Sequence, residues 1–318
     1  MTDLEKSIVR TIAYFDLLNY PLTATEAWRW LYHPPLQQGQ PPDLAEVSQA
    51  LEQSSNLKNV IERQQGFYCL RGRGQLINER KTNNLEADAK LKKAQGYAKV
   101  FRLFPSVRLV AVCSSLAAGN VKSSSDIDLF IVSASGQIWV TRFLLAGLLK
   151  LLNQRPTVKD TKNKICLSYY VTDQSLDLSA AQLGQDDIAF AYYVEGFLPL
   201  YDTDGLYQRL LAANSWLWQR LPNANWPNAT TLAVSRPSWL PAWHGFFKVI
   251  SWPFFNGLSR DWVCGLQLRI MPDKLKAKAN VDSRVIVTDS VLKFHDQDDR
   301  QWLRHQWQVK AREILGHV

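Results

Sequence analysis

Two carboxylates separated by one apolar residue, Asp126 and Asp128, are the residues whose types and spacing most directly suggest chemistry. They stand in an apolar stretch that predicts a strand, and residues two apart on a strand project from the same face. Both acids are therefore expected to point one way while Ile127 and Leu129 enter a core. Adjacent carboxylates repel each other, and placing them among apolar neighbours is costly unless a cation neutralises them. Hard divalent cations, Mg²⁺ in particular, prefer such oxygen ligands and usually share them with substrate phosphates, so the pair predicts a metal site.

A loop of small polar residues precedes this pair. Ser114 and Ser115 follow the apolar run 107–113, which has the length and composition of a buried strand, and the loop continues to Ser125. Backbone N–H groups and hydroxyls in a turn of this kind can hold a phosphate. Lys122 in the loop could also meet a phosphate, although a solvated loop lysine is the plainer interpretation. The loop and the acid pair together predict a metal site that binds phosphate.

The segment from 110 to 132, VAVCSSLAAGNVKSSSDIDLFIV, resembles the DNA polymerase β-like nucleotidyltransferase superfamily. That superfamily pairs a Gly-Ser turn after one strand with an Asp-x-Asp motif on the next, and the matching residues here are Ser115, Ala117, Gly119, Ser125, Asp126, Ile127, Asp128 and Leu129. The resemblance implies transfer of a nucleoside monophosphate from a nucleoside triphosphate (NTP) to an acceptor, which the sequence leaves open among protein, small molecule and nucleic acid. It also implies that two Mg²⁺ or Mn²⁺ ions are held by the catalytic residues Asp126 and Asp128. The nucleotide would contact Ser114, Ser115, Gly119 and Ser125.

The sequence departs from the superfamily pattern at three features of the site. Ser114 stands where the superfamily usually has Gly, and Ala118 stands where many members have Arg. The third carboxylate that often lies on a later strand is missing from the predicted strand 164–172, and Asp173 and Asp177, just beyond it, are the candidates to replace it. These departures support an alternative hypothesis, a catalytically degenerate protein that binds a nucleotide or nucleic acid in a regulatory role.

Three regions are predicted around this segment, and together they indicate an α+β protein. Residues 1–74 contain three helical segments and a β-hairpin, the layout of a winged-helix-like N-terminal domain. Residues 75–205 alternate helices and strands, as expected of a polymerase β-like nucleotidyltransferase α/β core. Residues 206–318 are expected to form a helical C-terminal region, and its nine of the chain's twelve tryptophans are expected to pack in a core. The stretches FDLLNYPLTATEAWRWL, PLYDTDGLYQRLLAANSWL and LKFHDQDDR resemble an uncharacterised bacterial branch of the same superfamily.

The charge of the chain is mildly basic. Its 37 Lys and Arg exceed its 29 Asp and Glu, giving a net charge of +8 and a pI of about 9.3. This balance favours anionic partners such as nucleotides, nucleic acid or membrane headgroups without choosing among them. The predicted hairpin carries only Lys58, Arg63, Arg71 and Arg73, so region 1–74 is expected to give weak nucleic-acid binding or protein docking.

Cysteine spacing and hydropathy limit other function classes. The four cysteines are far apart and form no CxxC pair, which predicts reduced, mostly buried thiols in a cytoplasmic protein. The sequence has no uninterrupted apolar stretch of about 20 residues, so no membrane span is expected.

Two further polar clusters are expected to be structural. Lys90, Lys92 and Lys93 are predicted to lie on a solvated helix face. The segment 293–300 places His295 among three aspartates, which could bind a metal, but acids at a helix N-terminus also stabilise it through the helix dipole. A capping role is therefore the favoured interpretation of this segment.

Overall fold

The computed structural model describes residues 1–184, 186–224, 232–255, 257–295 and 298–316, and within them it describes the side chains except at 248–260. These residues form an α+β structure with one sheet of three strands and one mixed sheet of six. No helix in these ranges is both long enough and apolar enough to cross a bilayer.

The small sheet and four helices occupy the first 74 residues. The helices are α1 (Asp3–Leu17), α2 (Ala24–Arg29), α3 (Leu44–Gln53) and α4 (Ser55–Val60), and the strands are β1 (Leu22–Thr23), β2 (Ile61–Gln64) and β3 (Phe67–Leu70). The sheet is antiparallel in the order β1-β3-β2. Thr23 and Glu26 form a capping box at the start of α2, since each side chain accepts a hydrogen bond from the other's backbone N–H. β2 and β3 join through Gln65 and Gly66, both at positive φ, as in the two-residue turns that match the strand twist.

The larger sheet contains the strands of the predicted site. Its strands are β4 (Val107–Val112), β5 (Ile127–Ser133), β6 (Ile165–Thr172), β7 (Leu198–Asp202), β8 (Val285–Val287) and β9 (Val291–Phe294), in the order β7-β4-β5-β6-β9-β8. β5 and β6 are parallel, and the other neighbouring strands are antiparallel. β8 and β9 come from the region predicted to be helical, so that prediction is wrong for them. Each is too short for hydrophobic periodicity to reveal a strand.

Ten further helices lie in the described part of the chain. They are α5 (Leu76–Phe101), α6 (Ser114–Ala117), α7 (Ile138–Leu151), α8 (Ile188–Glu195), α9 (Leu206–Ala213), α10 (Trp216–Arg220), α11 (Leu240–Phe255), α12 (Gly257–Ile270), α13 (Asp273–Lys276) and α14 (Arg300–Gly316). α12 packs against α7, and α14 packs against α1 and α8. The last described helix, α14, therefore packs against the first, α1.

The two faces of the larger sheet carry separate hydrophobic cores. Leu109 and Phe130 face one core, and Val110 and Leu129 face the other. The first core continues into α1, α8 and α14, and the second continues into α5, α7 and α12. Because Asp128 is two residues before Phe130 on β5, it projects toward the first core. The N-terminal helices therefore pack on the face of the sheet that carries the predicted site.

Most of the C-terminal tryptophans whose side chains the structure describes are exposed, which corrects the expectation that they form a core. Trp226 and the side chain of Trp252 lie outside the described part of the chain. Among the described residues, those at least 38% exposed are Trp218, Trp239, Trp243, Trp262 and Trp302, whereas Trp307 is buried. Composition alone does not encode which face of a helix meets the sheet, so a high tryptophan content did not predict burial.

Candidate functional site

Ser114 follows strand β4 in a left-handed conformation and begins the turn of the predicted site. Its φ is +59°, in a region that residues other than glycine rarely adopt. Glycine adopts this conformation without a steric cost. The N–H of the preceding Cys113 donates to the carbonyl of Asp128 at 3.1 Å. The turn and the strand of the acid pair are therefore in direct contact.

Strand register brings a third side chain to the acid pair. Asp128 on β5 is paired with Cys166 on the parallel strand β6, and Asp126 immediately precedes β5. One ligand atom from each of these three residues lies within 4.8 Å of the others. The sequence prediction missed Cys166 because it sought a carboxylate on this strand. The available signal was that Cys166 stands near the start of a predicted strand, as the acid pair does.

Burial raises the pKa of both aspartates. The pKa of Asp128 rises to about 6, first because its carboxylate is removed from water and second because Asp126 is close, while hydrogen bonds from the Cys166 and Ser114 side chains oppose the rise. The pKa of Asp126 also rises through burial, and its own backbone N–H and Lys90 oppose that rise. Burial and then the two carboxylates hold the pKa of the Cys166 thiol well above its ordinary value. No ion pair to either aspartate is found among the residues that the structure describes.

The three donors fit a divalent cation. Two carboxylates and a thiol close together disfavour one another's charged forms, and a bound cation would reverse that preference. The oxygens of Asp126 and Asp128 suit Mg²⁺ or Mn²⁺, whereas the sulfur of Cys166 suits a softer ion.

Lys90 on α5 is buried, which corrects the prediction of a solvated helix face. It is 2% exposed, and its ammonium group donates to the carbonyls of Ser123 at 3.2 Å and Ser125 at 2.6 Å. Burial lowers the pKa of Lys90. Lys92 is exposed as predicted, while Lys93 is half-buried. Lys90 therefore fixes the end of the loop that leads into the acid pair.

The N-terminal region holds the other end of the loop. The Tyr20 hydroxyl donates to the Ala118 carbonyl at 2.7 Å, and the Asn120 side chain donates to the Leu18 carbonyl at 2.9 Å. Between them, Gly119 has a φ of +68°, and a Cβ at this position would lie 3.2 Å from a neighbouring side chain. Both the backbone conformation and the limited space therefore favour glycine at 119.

A cavity of about 560 Å³ opens beside this loop. Of the four residues predicted to contact a nucleotide, Ser114, Ser115 and Ser125 line the cavity and Gly119 does not. Asp126, Asp128 and Cys166 are not part of its lining either. The walls are rich in aromatic rings, which belong to Tyr14, Phe15, Tyr20, Trp30, Phe190, Tyr192 and Tyr193. Cationic side chains also reach it, from Arg29, Lys122, Lys293 and Arg300. Its volume falls in the range of small-molecule sites.

The polar segment before α14 caps that helix. Asp298 accepts a hydrogen bond from the Arg300 backbone N–H at 3.1 Å and pairs with its guanidinium at 2.7 Å. His295 instead lies 3.0 Å from the Ser168 hydroxyl, and Asp296 lies outside the described residues. The capping interpretation is confirmed for Asp298.

The two candidates for a third carboxylate, Asp173 and Asp177, do not reach the site. Asp173 follows the far end of β6, seven residues beyond Cys166. At about 3.3 Å per residue, this separation is roughly 23 Å. There the Asp173 N–H donates to the carbonyl of Ser133, the last residue of β5, and Asp177 is held in a turn further along the chain. The prediction that either acid completes the metal site is therefore wrong.

Comparisons with protein-family models, with curated proteins and with solved structures found no match for this chain. What defines the site is its own set of contacts: a left-handed turn, an acid pair beside a thiol, and a cavity lined by the same turn.

Proposed function

We propose that the chain is a polymerase β-like nucleotidyltransferase that moves a nucleoside monophosphate from an NTP to an acceptor. The observation that most directly supports this function is the contact between the Ser114 turn and β5, where the Cys113 N–H donates to the Asp128 carbonyl at 3.1 Å. This contact sets a turn with phosphate-binding groups beside two carboxylates. The sheet supports this arrangement, because β4 and β5 are antiparallel neighbours and the turn after β4 therefore lies at the edge of the sheet where β5 begins.

In this proposal Asp126 and Asp128 hold Mg²⁺ or Mn²⁺ together with the phosphates of the NTP. The bound cation supplies neutralisation of phosphate charge and a lower pKa of the attacking acceptor oxygen. Backbone N–H groups and hydroxyls of Ser114 and Ser115 bind the triphosphate. Lys90 acts as a positioning residue, since its bond to the Ser125 carbonyl sets the backbone that enters the acid pair.

The cavity favours a nucleotide and a small acceptor over a macromolecular acceptor. Its volume of about 560 Å³ suits a compact ligand, and its aromatic walls offer stacking surfaces for a base. Lys122 is exposed at the same loop and lines the cavity, so its ammonium group is available to a phosphate.

We propose further that region 1–74 is a winged-helix-like domain that forms one side of the cavity and does not bind DNA sequence-specifically. Its helices and its β1-β3-β2 sheet support that layout. The helix that would enter a DNA groove, α3, bears Glu46 and Glu52 and contains no Lys or Arg. Two hydrogen bonds join this region to the loop of the site, from Tyr20 to the Ala118 carbonyl and from Asn120 to the Leu18 carbonyl.

A second candidate function is a regulatory protein that binds an NTP without turning it over. The observation that favours it is the residue opposite Asp128 on β6, which is Cys166 and not a carboxylate. Among the described residues, the group of possible metal ligands contains only two acids.

Nucleotide binding is tested by the melting temperature of the full chain with Mg²⁺ and each NTP. A ligand that binds only the native state raises this temperature, and we expect the Asp126→Ala, Asp128→Ala double variant to lose the rise. Asp88→Asn, at an exposed position of α5, is the matched control and should retain it. An equal rise in the double variant would contradict the assignment.

Turnover is tested with NTPs labelled at the α-phosphate, Mg²⁺ or Mn²⁺, and a cell extract as the source of acceptors. Transfer of label that is lost in Asp128→Asn and kept in Asp88→Asn supports the transferase. Binding with neither transfer nor slow NTP hydrolysis supports the regulatory alternative.

A further inference from the structure

We propose that Cys166 is a metal ligand and gives the site a preference for a borderline cation, of the Zn²⁺ and Co²⁺ class, over Mg²⁺. This inference rests on the proposed function and deepens it. Asp128 and Cys166 are direct neighbours across the parallel strands β5 and β6, so their side chains leave the sheet on the same face. The ligand atoms of Asp126, Asp128 and Cys166 lie within 4.8 Å of one another, close to the spacing of ligands that bind one ion at about 2.0–2.3 Å.

The surroundings of Cys166 differ from those of a cysteine that only fills a core. A buried cysteine ordinarily behaves as a small apolar residue among apolar neighbours. Cys166 instead has two carboxylates beside it, and its neighbours in the site include the Ser168 hydroxyl. Neither carboxylate has a salt-bridge partner within 4.0 Å in the described part of the chain, and the nearby Lys90 ammonium acts on Asp126 but is not among the charges that act on Asp128. A cation bound by all three donors would compensate the negative charges.

Coordination by Cys166 exchanges the S–H bond for a sulfur–metal bond, and the released proton passes to water. A thiolate combined with carboxylate oxygens suits Zn²⁺ or Co²⁺, whereas Mg²⁺ prefers oxygen ligands alone. Three protein ligands leave at least one position open, which an NTP phosphate oxygen can take.

The test is a titration of the metal-free full chain with Co²⁺, with the heat of binding and the near-ultraviolet absorption recorded together. Sulfur-to-cobalt charge transfer absorbs only if a thiolate binds the ion. We expect this band in the wild-type chain, and in Cys166→Ser we expect its loss with binding weaker by about tenfold or more. Cys264→Ser, at a half-buried cysteine on α12, is the matched control and should keep the band. Cys166→Asp should bind Mg²⁺ more tightly and Co²⁺ more weakly than the wild type.

Three results would overturn the inference, and they separate it from the proposed function. In the first, Co²⁺ binding depends on Asp128 but gives no charge-transfer band. The ion is then bound by the carboxylates alone, and the proposed function is not contradicted. A band that persists in Cys166→Ser assigns it to another thiol. Binding of Co²⁺ and Mg²⁺ that is unchanged in the Asp126→Ala, Asp128→Ala variant removes the metal site and with it the proposed function. The wild-type spectrum decides whether sulfur binds even if a variant fails to fold.

Discussion

At the residue scale, the acid pair costs the folded protein stability in the absence of metal. Asp128 has a pKa of about 6 because its carboxylate is buried beside Asp126, and the positive charge of Lys90 offsets only part of the effect of burial on Asp126. Functional sites commonly retain such unfavourable arrangements because the ligand, and not the fold, is meant to relieve them. Ser114 is a second example, since its left-handed backbone is one that glycine would adopt more easily.

The stability of the metal-free chain should fall as pH rises from about 4 to about 7. Asp128 has a pKa of about 6 in the folded chain and an ordinary value of 3.8, so the folded state binds the proton more tightly. The free energy of unfolding therefore decreases as pH rises between these two values, and the loss is complete above the folded pKa. Because Asp126 is coupled to Asp128, this window belongs to the pair. Asp128→Asn should have a larger free energy of unfolding than the wild type at pH 7. At pH 4 the two proteins should not differ in this way.

Urea-unfolding midpoints at both pH values, measured with a chelator present, check this expectation. Parallel changes in the wild type and in Asp128→Asn would mean that the acid pair does not cause the pH dependence.

At the scale of elements, the loop before β5 is held from two sides. α5 holds its end through Lys90, which bonds the carbonyls of Ser123 and Ser125. The N-terminal region holds its beginning through the bond of Tyr20 to Ala118. The position of the acid pair therefore depends on two elements that lie outside the strand that carries it.

Lys90→Met should lower the free energy of unfolding by about 1–3 kcal/mol, because two carbonyls lose a buried donor. It should also reduce the rise in melting temperature caused by Mg²⁺ and NTP, since the loop leads directly into the acid pair. Lys92→Met is the matched control on the same helix, and its exposed side chain should change stability by no more than about 0.5 kcal/mol. Equal effects of the two substitutions in urea unfolding and in the melting experiment would show that the buried bonds have no special role.

At the scale of the whole molecule, the last described helix packs against the first. Trp307 of α14 donates to the carbonyl of Arg10 at 2.8 Å and packs edge-on against Tyr32 at 5.3 Å between ring centroids. Lys310 of the same helix pairs with Asp16 of α1. α1 also lines the cavity, and α14 packs against α1. α14 therefore helps to hold one wall of the proposed site in place.

Trp307→Ala should cost about 3–5 kcal/mol, the usual effect of removing a buried Trp side chain. Trp302→Ala, on the same helix and 57% exposed, should change stability by no more than about 0.5 kcal/mol. Chemical unfolding of the two variants measures the difference. A small loss in Trp307→Ala would mean that α14 contributes little to the packing of α1.

The sequence by itself determined features that depend on a few neighbouring residues. Three such features follow from local periodicity and local hydrogen bonding: the spacing of Asp126 and Asp128 at the start of β5, the capping box at Thr23 and the α+β class. The superfamily assignment is a prediction that rests on the motif at 110–132.

Only the tertiary structure decided which distant residues meet. Cys166 stands beside Asp128 because the register of two parallel strands sets that pairing, and register is not encoded in either strand alone. Lys90 is buried because the face of α5 that carries it packs against the loop, although its helix is charged along its length. β9 joins the sheet by pairing with β6, and β8 joins it by pairing with β9. Such contacts depend on how the whole chain packs, so no short pattern in the sequence contains them.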